Sequence, residues 1–145
     1  MRIRDVLCIA CIVALLAAAG AFADNASRPF VGGADWQFVG ESPPNVGLVS
    51  MLSGKSTHAG MLTGTGEVFF TPLPKDAALT LVAANGDEIH LIAHGEPDAD
   101  GVFIGSYRIT GGTGRFAEAI GSGDWTAVAH ADGTVTTSWS GIIGS

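Results

Sequence analysis

The sequence predicts a single all-β domain, an antiparallel barrel or sandwich of seven or eight short strands, behind a removable N-terminal segment. Three observations carry that expectation. From Val46 onward, apolar and polar residues alternate with period two between clusters of Gly, Pro, Asn and Asp, the pattern of half-buried antiparallel strands. Beyond the N-terminal segment no stretch has a 3.6-residue apolar period, apart from about one turn at Arg115 to Ala119. Glycine recurs inside the strands, which favours a barrel over a sandwich, because tight coiling brings backbones together where a side chain would not fit.

The elements follow in order. Arg2 and Arg4 form a short positive start, Val6 to Ala19 is almost unbroken apolar sequence, and Ala21-Phe22-Ala23 sets small residues two apart before Asp24. That is the layout of a secretory signal peptide, so residues 1–23 are expected to be removed after Ala23 and the protein to be secreted or periplasmic. The apolar run falls short of the ~20 residues that span a bilayer and lacks stop-transfer charges, so the mature form should carry no membrane span. A lipid-anchor reading at Cys11 is weak, because Cys8 stands where an aliphatic residue is needed. Cys8 and Cys11 are the chain's two cysteines, so the mature domain has neither a disulfide nor a thiolate metal site. At about 120 residues it is the size of one domain with one core.

Residues 24–44 read as an extended N-terminal segment rich in Gly, Ser and Pro, pinned across the barrel or its mouth by Trp36 and Phe38; the barrel domain itself is expected over 45–145. Val46 to Leu52 is the first strand, and His58 to Thr71 a long second one whose Gly64 and Gly66 suggest a bulge. Pro72 and Pro74 end it. Leu79 to Ala83 and Glu88 to His94 flank Asn85-Gly86, expected to make a type I′ hairpin. Glu96 to Gly101 leads into Val102 to Thr110, and Asp124 to Ala131 is joined to Thr134 to Ile142 through Asp132-Gly133.

Charge excludes some partners. Without Arg2, Arg4 and Asp5, the chain's seven basic and fourteen acidic residues fall to five and thirteen, a net charge of −8 with histidines neutral. Nucleic acids and anionic membrane surfaces both need a basic patch, so neither is an expected partner. Acidity of this degree keeps an exported protein soluble.

The loop Thr110-Gly111-Gly112-Thr113-Gly114-Arg115-Phe116-Ala117 has the glycines of a dinucleotide fingerprint, but that motif requires a βαβ unit with an acidic residue about twenty positions on. A hairpin follows instead, and no cofactor is expected. The glycines are read as a structural turn across one barrel end, with Phe116 tucked into the core and Arg115 placed to pair with Glu118.

The same stretch, from Tyr107 through Gly111, Gly112, Thr113, Gly114, Arg115 and Phe116 to Gly121, resembles the signature loop of the allene oxide cyclase and dirigent barrel superfamily. Ser56 to Gly60 and Ala83 to Asp87 are similar to bacterial secreted members of that group. The resemblance implies an eight-stranded antiparallel barrel of the calycin/allene oxide cyclase type with an apolar interior. It implies no activity: neither the cyclase's polar residues nor the dirigent proteins' acidic ones map onto numbered positions here. It points to the bacterial branch rather than to either plant chemistry.

Glu88, His90 and His94 share one strand face, yet His90 and His94 stand ~13 Å apart along it, too far to share one ion, so no metal site is expected. His58, at a strand start among small residues, reads as a buried, hydrogen-bonded histidine fixing a barrel end, with ligand contact as the alternative. No Gly-x-Ser-x-Gly elbow or other nucleophile arrangement is present.

Any ligand would meet the aromatic residues Phe69, Phe103, Tyr107, Trp125 and Trp139, with His58 as a polar handle. Small residues opposite large ones predict, in the first instance, a barrel filled by its own side chains. Among functions, the leading expectation is an exported barrel that binds a small hydrophobic molecule. An enzyme with cyclase- or isomerase-like chemistry on a hydrophobic substrate is the alternative, and a packed structural or envelope module that self-associates as a homo-oligomer is the third.

Overall fold

A computed structural model describes residues 27–41, 44–69 and 75–144; residues 1–23, expected to be a signal peptide, lie outside them. Eight strands run in chain order: β1 (Arg28–Glu41), β2 (Val46–Ser56), β3 (Gly60–Phe69), β4 (Lys75–Ala83), β5 (Glu88–Pro97), β6 (Phe103–Gly112), β7 (Ile120–Ala129) and β8 (Thr134–Gly144). Each pairs antiparallel with the next, and β1 also pairs β8, closing the sheet into an up-and-down barrel. Closure removes both sheet edges, which an open meander of this length would leave free to pair with other chains. A single 3₁₀ turn, Gly114–Phe116, is the one helical element among the described residues.

The segment read as a lead-in is a full barrel strand. β1 pairs with β2 from Gly32 opposite Ser56 to Glu41 opposite Gly47, and with β8 from Arg28 opposite Ile143 to Gln37 opposite Thr134. Its inward residues are Phe30, Gly32, Ala34 and Trp36. They alternate without interruption, but Gly32 and Gly33 stand in the middle of the run and leave little apolar signal; the register shifts against β2 fall at Asp35/Trp36 and Phe38/Gly40.

The long strand expected from His58 begins instead at Gly60. His58 sits in the preceding turn with φ of +68°, a conformation unfavourable for a strand. The irregularity expected at Gly64 and Gly66 lies across from them on β2, between Ser50 and Gly54. Gly66 has another use: a Cβ there would overlap Leu79 Cδ2, so the glycine lets that leucine pack against the wall.

One turn recurs at three hairpins, and it is not type I′. At Ala83, Asp98 and His130 the residue's N–H donates to the carbonyl four positions on, while its own carbonyl accepts from the glycine three positions on. Those glycines, Gly86, Gly101 and Gly133, have φ of +92°, +80° and +87°. This is a type I turn closed by one left-handed residue, so only the glycine needs positive φ. Asn85 contributes through its side chain instead, accepting from the Asp87 N–H at 3.0 Å.

The hairpins β2–β3, β4–β5 and β6–β7 meet at one end, where Phe30, Leu62, Ile89, Ile109, Phe116 and Ile143 are all almost wholly buried. Phe116, 2% exposed, plugs that end. The loop before it is held by Asp87, whose Oδ2 accepts from the Arg115 N–H at 3.3 Å; the Arg115 side chain also turns to Asp87, at 3.8 Å, rather than to Glu118. The strand ends Glu41 and Val46, Phe69 and Lys75, Pro97 and Phe103, and Ala129 and Thr134 lie at the opposite end.

Candidate functional site

The half of the barrel away from the Phe116 plug holds an apolar cavity of about 220 Å³. A barrel filled throughout was the first expectation; only the plugged half is filled. The cause is the distribution of inward side chains. Near the mouth the wall positions include Ala77, Ala93, Ala127 and Ala129, while in the plugged half Ala59, Ala83 and Ala119 are packed among Phe30, Leu62, Ile89, Ile109, Phe116 and Ile143. Eight strands enclose just enough room for large side chains to fill, so a ring of alanines leaves space.

Three aromatic residues of the lining rest on glycines. Trp139 lies over Gly32, where a Cβ would stand 2.6 Å from its ring carbon Cζ2. Trp125 lies over Gly95 in the same way, with Cη2 at 2.8 Å. The Tyr107 hydroxyl rests between the paired residues Gly123 and Gly141, at 2.6 and 2.5 Å from where their Cβ atoms would be. Large rings are thereby laid flat against the wall and the centre stays open.

The polar groups of the lining are mostly engaged by the protein. Trp36 Nε1 donates to Thr137 Oγ1 at 3.1 Å, and that hydroxyl donates to the Ala34 carbonyl at 3.3 Å. Trp125 Nε1 donates to the Ser106 carbonyl at 3.0 Å. The Tyr107 hydroxyl reaches the Phe30 carbonyl at 3.4 Å, and burial, with the Asp124 charge behind it, pushes its pKa up to about 12, so it remains a neutral donor at physiological pH. Trp139 Nε1 is buried without a hydrogen-bond partner, as is Ser56 Oγ.

Of the residues expected to meet a ligand, Phe103, Tyr107, Trp125 and Trp139 come together around this cavity; Phe69 and His58 do not. Phe69 has the wrong parity: Leu62, Gly64, Gly66 and Val68 point inward on β3, so Phe69 points out. His58 is exposed at the plugged end, edge-on to Phe116 with ring centroids 6.1 Å apart. The tie expected of it belongs to Thr57, whose Oγ1 donates to the Pro29 carbonyl and accepts from the Val31 N–H, both at 2.9 Å. Sequence reasoning set Trp36 across the barrel or its mouth without counting it among the ligand residues, and it missed Ala77, Leu79 and Val135, which required the closed register.

Partial burial, then the Arg28 and Arg115 charges, hold the His58 pKa below its ordinary value. Its folded state therefore resists protonation, and stability should rise with pH across the region just below 6.5. Replacing His58 by Asn, which tolerates its left-handed backbone, should flatten the fall in urea midpoint between pH 7.5 and pH 5. An unchanged slope would remove His58 from the acid response.

On the outer wall, His90 pairs with Glu88 at 2.7 Å and His94 with Asp76 at 2.5 Å. Among the described residues no three His, Cys, Asp or Glu side chains gather in a way that could hold a metal ion.

No family model matches this sequence, and no curated protein does. Among solved structures, the chain is similar to the pterocarpan synthase dirigent protein PsPTS1, with a TM-score of 0.54, 14% identity, and 82% of this chain and 94% of that one covered. The pterocarpan synthase dirigent protein GePTS1 gives a TM-score of 0.53, again at 14% identity, with 82% and 83% covered. The likeness is one of fold: both neighbours share the barrel that the Gly111 to Phe116 loop suggested.

Proposed function

We propose that this barrel, shared in fold with dirigent proteins, is an exported carrier or sensor that holds one small hydrophobic molecule in the cavity at its open end. The single observation that carries the reading is the cavity itself, about 220 Å³ with an apolar lining, in a barrel whose other half is packed solid. Leaving alanines where leucines would fill forgoes packing stability of about 1 kcal/mol per missing methyl group, so the space is retained against a cost. Binding is favoured over catalysis because Trp36, Thr137, Trp125 and Tyr107 spend their polar groups on protein partners. The apolar stretch and processing site of residues 1–23 support export.

The test is a saturable fluorescence gain with the neutral probe N-phenyl-1-naphthylamine. Ala129→Trp, at the exposed rim, should weaken binding by tenfold or more with the melting temperature unchanged, and Ala127→Phe, deeper in, should abolish it. Equal binding by the parent and both folded variants would rule out the cavity as the site.

A further inference from the structure

We propose that the molecule held in the cavity is an organic cation, an apolar body carrying a quaternary or aromatic ammonium group, and not a fatty acid or other anion. This rests on the cavity being a binding site, and two further observations carry it.

The first is the lining. Trp36, Phe38, Phe103, Tyr107, Trp125 and Trp139 supply six of its aromatic side chains, and among the described residues no basic side chain lines the space. With the Trp36 and Trp125 N–H edges engaged by Thr137 and the Ser106 carbonyl, the polar features left to a ligand are the electron-rich ring faces and the Gln37 and Asp76 side chains. Such faces attract a desolvated cation, most strongly when the rings are indoles, and repel an anion.

The second is the direction of charge along the barrel. The strand ends and loops at the mouth carry Glu41, Asp76, Glu96, Asp98, Asp100 and Asp132, against Lys75 as the basic residue of those segments. The plugged end carries Arg28, Lys55 and Arg115 against Asp87, Glu88 and Glu118, so it is balanced while the mouth is acidic. Three of the mouth acids also shape their loops: Asp98 Oδ1 accepts from the N–H groups of Asp100 and Val102, Asp132 Oδ1 from that of Thr134, and Glu41 Oε1 from that of Asn45. Asparagine or glutamine would make the same bonds without charge, so the turns alone do not account for the sign. A ring of one sign around a low-dielectric opening concentrates counter-ions there, and here the concentrated species are cations. An anion would cross the acidic rim only to lose its hydration in a cavity where, among the described residues, no cation receives it.

The experiment compares three probes of similar shape on the purified protein, by tryptophan fluorescence and calorimetry at 20 and 300 mM NaCl. They are benzyltrimethylammonium, its neutral carbon isostere neopentylbenzene, and phenylmethanesulfonate. The ammonium should bind about tenfold tighter than the isostere at low salt, with the sulfonate weakest. At 300 mM the margin should narrow without closing, because screening reaches the rim charges and not the buried rings. The combined change Asp98→Asn, Asp100→Asn and Asp132→Asn should cost the ammonium several-fold in affinity and leave neopentylbenzene unaffected. Neopentylbenzene binding as tightly as the ammonium at low salt would overturn the charge preference while the apolar site stands. If none of the three binds, the cavity reading fails and this inference with it.

Discussion

Phe30→Ala should lower the free energy of unfolding by about 4 kcal/mol, the cost of removing a wholly enclosed aromatic ring. Phe30 is 0% exposed and packs against Tyr107 and Trp139, with ring centroids 6.3 and 5.9 Å away. The ring therefore joins β1 to β6 and β8 across the barrel, and no neighbour can collapse into its place without abandoning its own glycine seat. In a domain of this size the melting temperature should fall by roughly 15 °C, read from the loss of β-sheet circular dichroism. Val39→Ala on the same strand, at 58% exposure, should change stability by no more than about 0.5 kcal/mol. A drop below about 5 °C for Phe30→Ala would return residues 28–41 to the status of a loosely attached lead-in.

Gly141→Ala adds one methyl group and should destabilise by about 3 kcal/mol, at the upper end of the range for overpacking. The new Cβ would overlap the Ser122 carbonyl and stand 2.5 Å from the Tyr107 hydroxyl and 2.6 Å from Gly123 Cα. Backbone on the neighbouring strand cannot yield as a flexible side chain would, so β7 and β8 must separate or Tyr107 must leave its seat. Displacing Tyr107 pushes its ring toward the cavity, so probe binding should weaken together with stability. Gly40→Ala is the control: its Cβ would meet only Leu48 Cδ1, at an ordinary 3.8 Å, and should be tolerated. Parallel urea titrations of both variants decide the point; equal midpoints would show that glycine at 141 is not needed for close strand approach.

The two residues also show where the sequence was legible. Gly141 lies in a run whose alternation is plain, and β5, β6, β7 and β8 fall close to where period two and the Asn-Gly and Asp-Gly pairs put them. Phe30 lies in a strand whose central Gly32 and Gly33 blank its apolar alternation, and whose partners are a neighbour in sequence on one side and the chain's far end on the other. Local pattern marks a strand that alternates cleanly. It has no access to a pairing between residues a hundred positions apart. His58 and Thr57 fail in a different way: adjacent residues at a turn exchange roles when one backbone dihedral changes sign, and nothing in their side chains announces which will do so.

By itself, then, the sequence determined an all-β chain with glycine-closed hairpins, a cysteine-free domain, an acidic balance and a loop ending in a buried phenylalanine. These are all written in spacing and composition. Only the tertiary structure decided that β1 closes the barrel, that Phe69 points outward, and that Ala77, Ala93, Ala127 and Ala129 stand around the cavity while Phe116 and its large neighbours fill the other end. A cavity is a sum over inward side chains from every strand at the same height. Height is set by the register of a closed sheet, which no local stretch of sequence contains.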